Sequence, residues 1–346
     1  MMMKNMRNLL WLMPNKNYKY SGIYKYNNEL IGLLKKKRKI KILYCGKINS
    51  FFNILWSKFF VMPFFLLTYS GNYDCVIYPE EGFAFLRFFS FAKNNKIIIH
   101  DYRRNFNNNN KVQEIEILKQ IYLNFNFFFL KKFDKIIVPS VFTKRLLSEN
   151  FYNIKKQIKV IPNIIEFNSK KAKIDKSNFK DLAKIKNKFK IVITVASGET
   201  RKNIKLIYRI ARKTTKIKFI IIGNFKNNME KINIFNYKNL NENDLAFLFR
   251  MSDIYLHPSL FEGFGRTLIE AQIFGLPVIC YNTPINKEIL STSGNYLNLK
   301  LSDTQIINYI LKKKIGKYEK DKILKNSKKY SREYINKKFI NDINEI

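Results

Sequence analysis

The stretch Ser259-Leu260-Phe261-Glu262-Gly263-Phe264-Gly265-Arg266-Thr267-Leu268-Ile269-Glu270-Ala271 reads as a loop, a glycine turn and the opening of a helix. Two carboxylates, Glu262 and Glu270, flank the Gly-Phe-Gly turn. Backbone amides exposed at a helix start suit an anionic phosphate. An ionised carboxylate only accepts hydrogen bonds, and the hydroxyls of a sugar or ribose can donate them. One short segment therefore offers acceptors for hydroxyls beside donors for phosphate, the combination a nucleotide-sugar requires. Taken alone, Glu270 has a plainer reading as a surface partner of Arg266 one turn earlier, worth only tenths of a kcal/mol.

The flanking sequence makes this segment one unit of a larger alternation. Met251–Ser259 leads a strand, Ile254–Leu256, into the Glu262 loop, and Gly275 and Pro277 end the helix before a strand over Pro277–Tyr281. Upstream, the strand Ile191–Val195 empties into Ala196-Ser197-Gly198-Glu199-Thr200-Arg201-Lys202-Asn203, and a helix is expected from Ile204. A glycine-bearing turn with adjacent Arg and Lys suits a diphosphate, although solvated Arg-Lys pairs abound in this chain. A further strand, Phe219–Ile222, ends in Gly223-Asn224, as strands do at a ligand crevice. Asn239–Leu245 reads as a turn and a helix cap.

The same alternation fills the first half. Asn8–Met13, Ile40–Cys45, Cys75–Tyr78, Lys96–His100 and Lys135–Pro139 read as strands, with helices expected over Asn27–Lys37 and Val112–Lys132. Repeated strand–helix alternation implies parallel sheets covered by helices on both faces. Two such series predict an α/β chain of two Rossmann-like domains. The join is expected near Val160-Ile161-Pro162-Asn163 and the lysine-rich stretch Ser169–Lys190, with an amphipathic helix over Tyr330–Ile346 and a polar loop at Asn107–Asn110.

Composition bounds the alternatives. The chain has 346 residues, a hydrophobic share of 46% and a formal net charge of +38, enough for two packed domains. The charge alone invites a nucleic-acid reading. Enrichment in Lys, Asn, Ile, Phe and Tyr, all with codons rich in adenine and thymine, supplies a compositional cause; an anionic membrane surface is a second partner it would suit. Cys45, Cys75 and Cys280 form no metal or redox pattern, and with no secretory signal an odd cysteine count points to the cytoplasm. The apolar stretch Phe51–Leu67 is interrupted by Asn53, Ser57, Lys58 and Pro63, so it is expected not to span a bilayer. Core packing is its plain reading. The sharper one is an interfacial patch in which Trp56, Phe59, Phe60, Phe64 and Phe65 meet headgroups.

The order of these segments resembles the retaining glycosyltransferases of family 4, with GT-B architecture. The resemblance is dense from Ile191 to about Glu288. It is carried by the Arg-Lys-Asn turn at 201–203, Ile-Ile-Gly at 221–223, Ser-Asp-Ile at 252–254 and His-Pro-Ser at 257–259. Glu-Gly-Phe-Gly with Glu-Ala at 262–271 and Gly-Leu-Pro-Val-Ile at 275–279 complete it. It continues more loosely through Ser21-Gly22-Ile23 after the first strand, His100-Asp101, Val138-Pro139-Ser140 with Lys144, and Ile161-Pro162-Asn163. It implies two Rossmann-like domains whose parallel sheets face across a cleft: 1–165 for the acceptor, with a C-terminal helix at about 330–346 able to pack back on it, and 166–329 for the nucleotide-sugar.

By that resemblance Glu262 contacts donor-sugar hydroxyls, and the amides of Gly263, Phe264, Gly265 and Arg266 meet sugar and diphosphate. Glu270 binds the ribose, while Lys202 with Arg201 holds the diphosphate leaving group. Gly22 and Gly223 approach the donor, and His100 lies near the reaction centre and orients substrate. The family's usual Arg at the strand exit is missing, since Ala196 and Ser197 stand there. The implied reaction transfers a sugar from a nucleotide diphosphate sugar to a hydroxyl of a saccharide or lipid-linked saccharide, with retention and with the departing phosphate taking the acceptor proton. Closure about Pro162-Asn163 would exclude water. No cofactor is expected, and the lack of any Asp-x-Asp pair fits a site without metal.

Such an enzyme would serve cell-surface polysaccharide or lipopolysaccharide synthesis, in the cytoplasm or peripherally on the cytoplasmic face of the inner membrane. Competing readings are another GT-B enzyme, such as a nucleotide-sugar epimerase or a phosphorylase, and a basic nucleic-acid-binding protein. A nicotinamide dehydrogenase is disfavoured because no Gly-x-Gly-x-x-Gly follows a strand. The resemblance implies no nucleic-acid partner.

Overall fold

The computed structural model describes residues 8–15, 21–35, 37–46, 50–102, 114–167, 179–186, 188–223 and 233–346. The polar run Asn107–Asn110 and half of the lysine-rich stretch Ser169–Lys190 lie outside them. The chain divides into two compact units, Met1–Ile164 with Ile335–Ile346, and Ile165–Tyr334.

The first unit holds strands β1 (Asn8–Met13), β2 (Lys39–Tyr44), β3 (Cys75–Tyr78), β4 (Asn94–Ile98), β5 (Lys135–Val138) and β6 (Ile158–Val160). They form one parallel sheet in the order β2-β1-β3-β4-β5-β6. Side chains alternate between the two faces of a strand, and β1 divides accordingly. Leu10 and Leu12 join one core with Met62, Phe83 and Phe133, while Leu9, Trp11 and Met13 join another with Tyr26, Leu30 and Ile343. Both faces are covered, so the strand reads as an unbroken apolar run rather than an alternation. Buried polar groups are matched: Trp11 Nε1 donates to Asn27 Oδ1 at 2.8 Å, and Tyr26 Oη donates to the Ile161 carbonyl at 2.6 Å.

The chain end belongs to this unit. Two short helices, Arg332–Lys338 and Ile340–Asn344, replace the single expected one, and Ile335, Ile343 and Ile346 enter the first unit's core. Lys96 donates to the Glu345 carbonyl, and Lys159 Nζ lies 3.0 Å from Asp342.

The second unit repeats the plan with β7 (Lys190–Val195), β8 (Ile217–Ile222), β9 (Ile234–Tyr237), β10 (Ile254–His257), β11 (Val278–Tyr281) and β12 (Gly294–Leu297), ordered β12-β11-β10-β7-β8-β9 and all parallel. The order turns back on itself between β10 and β7. At such a switch point the chain leaves neighbouring strands in opposite directions and opens a crevice beyond their carboxyl ends. The loops after β7 and β10 are the two that carry the Arg-Lys turn and the Glu262 segment.

Helix Phe51–Trp56, a π-turn over Ser57–Val61 and helix Met62–Tyr69 form one continuous rod. The sequence treats Pro63 as an interruption. The helix runs through it because Pro63 falls in the first turn after the π-turn, where a missing N–H costs little. The stretch Phe52–Asn72 is thus long and apolar enough to cross a membrane by length and composition. Met62 and Leu66 nevertheless pack into the first unit's core, and Phe65 is partly buried against it.

Candidate functional site

The loops after β7 and β10 are tied backbone to backbone. Leu260 N donates to the Arg201 carbonyl at 2.8 Å, and Ser259 Oγ donates to the same carbonyl at 3.3 Å. Residues Thr200–Lys202 make one 3-10 turn, and Asn203, at φ 48°, starts the helix Ile204–Arg212. The expected helix start at Ile204 is observed.

This stitching brings Arg201 and Lys202 onto Glu262. Lys202 Nζ lies 2.6 Å from Glu262 Oε1, and Arg201 Nη1 lies 2.9 Å from Glu262 Oε2, so each oxygen accepts from one cation. Arg201 Nη1 also donates to the Phe261 carbonyl at 3.1 Å. The other side of the same guanidinium is held by Glu199, with Nε at 2.8 Å from Oε2 and Nη2 at 3.2 Å from Oε1. Ser197 Oγ donates to Glu199 Oε1 at 2.9 Å. At the strand exit, where the family resemblance expects a cation, Ser197 instead supports the acid that grips Arg201.

Glu262 is buried. Burial alone would raise its pKa, but Lys202, then Arg201 and His257, outweigh it and hold the carboxyl at about 2. His257 Nε2 lies 3.5 Å from Glu262 Oε1. Burial chiefly lowers the imidazole to about 4, with Glu262 opposing and the two cations assisting, so the ring is neutral at pH 7. Two carboxylates face two cations here. The cations are therefore neutralised by the protein itself when no ligand is bound, and an arriving diphosphate would compete with Glu199 and Glu262 for them.

Gly265 begins the helix Arg266–Ile273 with φ 83°. A Cβ there would lie 2.8 Å from Leu268 Cδ1 in a backbone region that other residues rarely adopt. Phe264 is buried with its ring edge-on to Tyr330 at 5.4 Å, so its backbone rather than its ring faces any ligand at the turn. Glu270 is buried, and its Oε1 lies 3.9 Å from Arg266 Nε, beyond hydrogen-bond range. The plain reading of a solvated surface pair fails at that position. Tyr255 Oη donates to Thr267 Oγ1 at 2.7 Å beneath the same helix turn.

Gly223 follows β8, whose last pair sets Ile222 opposite Val195. It therefore sits beside Ala196 at the carboxyl edge, but its amide donates to the Tyr237 carbonyl at 2.9 Å and extends the β8–β9 ladder. Asn224 lies outside the described residues.

The two remaining expected residues belong to the first unit. Gly22 is the first residue of helix Gly22–Leu34, capped by Ser21 Oγ accepting from Tyr24 N at 3.1 Å; most of the loop before it lies outside the described residues. His100 stands two residues beyond β4, with its ring edge toward Tyr26 at 5.4 Å. Its Nε2 is 2.9 Å from the Pro79 carbonyl, which selects the Nε2–H tautomer.

Sequence reasoning passed over Glu199, His257 and Glu81. Glu81 lies near Asp101 and Glu80, past the carboxyl ends of β3 and β4. Burial first, then the charges of Asp101 and Glu80, raise its carboxyl to about 8. The available signal was the run Pro79-Glu80-Glu81-Gly82 at a strand exit, two adjacent acids in a strongly basic chain.

Residues 175–333 match the family model of glycosyl transferases group 1. The chain is 28% identical over 293 residues to an uncharacterized glycosyltransferase of Methanocaldococcus jannaschii, covering 78% of this chain and 68% of that protein. It is 30% identical over 125 residues to the O-antigen biosynthesis glycosyltransferase WclY of Escherichia coli, a match covering 33% of this chain and 35% of WclY. Among solved structures it is similar to HepE of Anabaena, crystallised with UDP and glucose, at a TM-score of 0.72 and 14% identity over 98% of this chain and 100% of HepE. The fold is accordingly of GT-B architecture, and residues 175–333 are similar to the glycosyl transferases group 1.

Proposed function

We propose that this protein transfers a sugar, with retention, from a nucleotide diphosphate sugar to a hydroxyl of a saccharide or lipid-linked saccharide, in the manner of family 4. The observation that carries this reading is Glu262 held between Lys202 and Arg201. A diphosphate leaving group accumulates negative charge as the glycosidic bond breaks, and cations already gathered at the site stabilise that charge. As the diphosphate takes up Lys202 and Arg201, Glu262 is released to accept hydrogen bonds from the donor-sugar hydroxyls. The amides from Gly263 to Arg266 meet the phosphates at the helix start, and the buried Glu270 receives the ribose. His257 stays neutral, so it adds no positive charge that would tie Glu262 down.

The departing phosphate takes the acceptor proton, and no divalent ion or cofactor is required. In the first unit, His100 orients the acceptor, its tautomer fixed by the Pro79 carbonyl. The O-antigen relative supports a role in cell-surface polysaccharide or lipopolysaccharide synthesis, carried out in the cytoplasm or on the cytoplasmic face of the inner membrane.

The test is a thermal-shift screen of nucleoside diphosphates and their sugars, followed by transfer assays with and without EDTA and NMR of the product anomer. Stabilisation by one nucleotide diphosphate, lost in Lys202→Met, is expected. No stabilisation by any of them, or an inverted product, would overturn the reading.

A further inference from the structure

We propose that one face of the first unit is a docking surface for an anionic lipid bilayer, built from three chain segments rather than from the apolar helix alone. The proposal extends the acceptor side of the function above and rests on the first unit only.

The segments are residues 50–72, 83–93 and 121–133. They form a single layer over one side of the first sheet. Met62 and Leu66 from the first, Phe85 and Leu86 from the second, and Phe127 and Leu130 from the third share one buried core. They are also bonded to one another. Phe91 N donates to Ser70 Oγ at 2.8 Å, Phe85 N donates to Asn126 Oδ1 at 3.0 Å, and Arg87 Nε donates to the Lys132 carbonyl at 3.1 Å. Phe59 stacks on Phe85 with ring centroids 5.2 Å apart.

With the inner sides of these segments in one core, their outer sides share one surface, and that surface is aromatic. Phe52 is 80% exposed, Phe64 68%, Phe88 69%, Phe91 70% and Phe128 69%, with Trp56 and Phe60 stacked on each other at 4.5 Å. Side chains of this size left in water at this density mark an interaction site.

Charge chooses the occupant. The three segments contain Lys58, Arg87, Lys93, Lys131 and Lys132 and no Asp or Glu. Two of the cations lie against the aromatic rim: Lys131 Nζ is 5.0 Å from the Phe128 ring and Lys132 Nζ is 5.4 Å from the Phe88 ring. Within the three segments the aromatic side chains are accompanied by cations alone, which matches the acyl–headgroup boundary of an anionic leaflet. A second copy of the same face would bring Lys131 and Lys132, both exposed at the aromatic rim, toward like charges. The rod of residues 51–69 lies along this surface and does not cross the bilayer, because Met62 and Leu66 stay in the protein core and Lys58 is held 4.3 Å over the Phe83 ring.

The chain has two tryptophans, of which Trp11 is fully buried and Trp56 is exposed. Fluorescence therefore reports on the proposed surface without labelling. The full chain is mixed with vesicles of phosphatidylcholine alone or with phosphatidylglycerol added, and sedimentation, Trp56 emission and quenching by bromine-labelled lipid are read. Binding to the anionic vesicles, a blue shift and quenching at shallow bromine positions are expected, with weaker binding to neutral vesicles. The variant Phe64→Ser, Phe88→Ser, Phe91→Ser, Phe128→Ser changes only exposed residues. It should lose vesicle affinity by roughly tenfold or more while its thermal shift with UDP stays that of the wild type.

Unchanged vesicle binding by that variant would overturn the proposal, as would no binding by the wild type. Concentration-dependent dimerisation that the same variant abolishes would assign the face to a second copy, and quenching by bromines at the bilayer centre would assign a spanning helix; either result also overturns it. A failed UDP shift would count against the donor reading and leave the vesicle result standing.

Discussion

The ammonium of Lys202 and the carboxylate of Glu262 meet at 2.6 Å although the two residues lie on different loops, after β7 and β10. Neither position is charged by accident of composition. A buried carboxylate without partners would be protonated or would unfold the loop, and two clustered cations without a counter-ion would repel. Each is therefore the condition for keeping the other in place before ligand arrives. Because Arg201 is shared between Glu199 and Glu262, the charge balance of the two loops is set within the protein itself.

Removing the two partners has opposite consequences for the nucleotide. Lys202→Met deletes a charge-assisted hydrogen bond and should weaken UDP binding by about 10- to 100-fold in calorimetry. Glu262→Gln removes a competitor for the cations and should bind UDP as tightly as the wild type or several-fold tighter, while transfer falls by about 100-fold. Holding Glu262 at about 2 rather than 4.5 corresponds to about 3 kcal/mol of stability, present above pH 4.5 and lost as pH falls through about 2. Glu262→Gln should forfeit that contribution at neutral pH. Equal weakening of UDP by both variants would sink the assignment.

His257 gives the second unit an acid sensitivity. Its pKa falls from 6.5 to about 4 on folding, so the unfolded chain binds the extra proton between those values. Its stabilising contribution is whole above pH 6.5 and is lost as pH drops toward 4. The melting temperature should fall across that window, and His257→Asn should flatten the slope. Parallel slopes for the two proteins would refute the burial argument.

Glu81 acts in the other direction. Its carboxyl is raised from 4.5 to about 8, so the folded state holds a proton that the unfolded state has released. The stabilisation is whole below pH 4.5 and is lost as pH rises through about 8. Glu81→Gln, which cannot ionise, should lose less stability than the wild type between pH 6 and pH 9 in denaturant titrations. If the wild-type curve does not steepen relative to the variant, Glu81 is ionised and the crowding by Asp101 and Glu80 is relieved some other way.

What the sequence discloses depends on how a residue earns its place. Strands β1, β3, β7 and β11 are legible because both faces are covered, leaving apolar runs such as Leu9–Met13 and Val278–Tyr281. Strands β6, β9 and β12 escape because Ile158–Val160, Ile234–Tyr237 and Gly294–Leu297 are short and carry Lys159, Asn236 and Asn295; they lie at sheet edges, where the pattern relaxes. The carboxyl end of β4 is overread to His100 because Ile99 continues the apolar run and its amide still donates to the Ile137 carbonyl of β5, one residue past the last paired position. At the site, Glu262 and Glu270 stand out by spacing from a glycine turn. Glu199 does not, since one acid beside Arg201 in a chain rich in lysine looks like a solvated pair. The bonds from Leu260 N and Ser259 Oγ to the Arg201 carbonyl, contacts between loops far apart in sequence, bring Glu262 to the cations.

Glu270 separates the nucleoside from the diphosphate experimentally. It is buried in the helix that Gly265 begins, one turn beyond the amides that the proposed function assigns to the phosphates, and under that proposal a ribose hydroxyl donates to its carboxylate. Glu270→Gln keeps the shape and one acceptor oxygen but removes the charge and adds an amide donor. UDP binding should weaken by about tenfold, the cost of one hydrogen bond to a charged group. Inorganic diphosphate, which has no ribose, should bind both proteins alike, and Lys202→Met should weaken both ligands. A Glu270→Gln protein that loses diphosphate as well would mean that the carboxylate shapes the phosphate-binding turn instead, through Arg266 or the Tyr255–Thr267 bond beneath it.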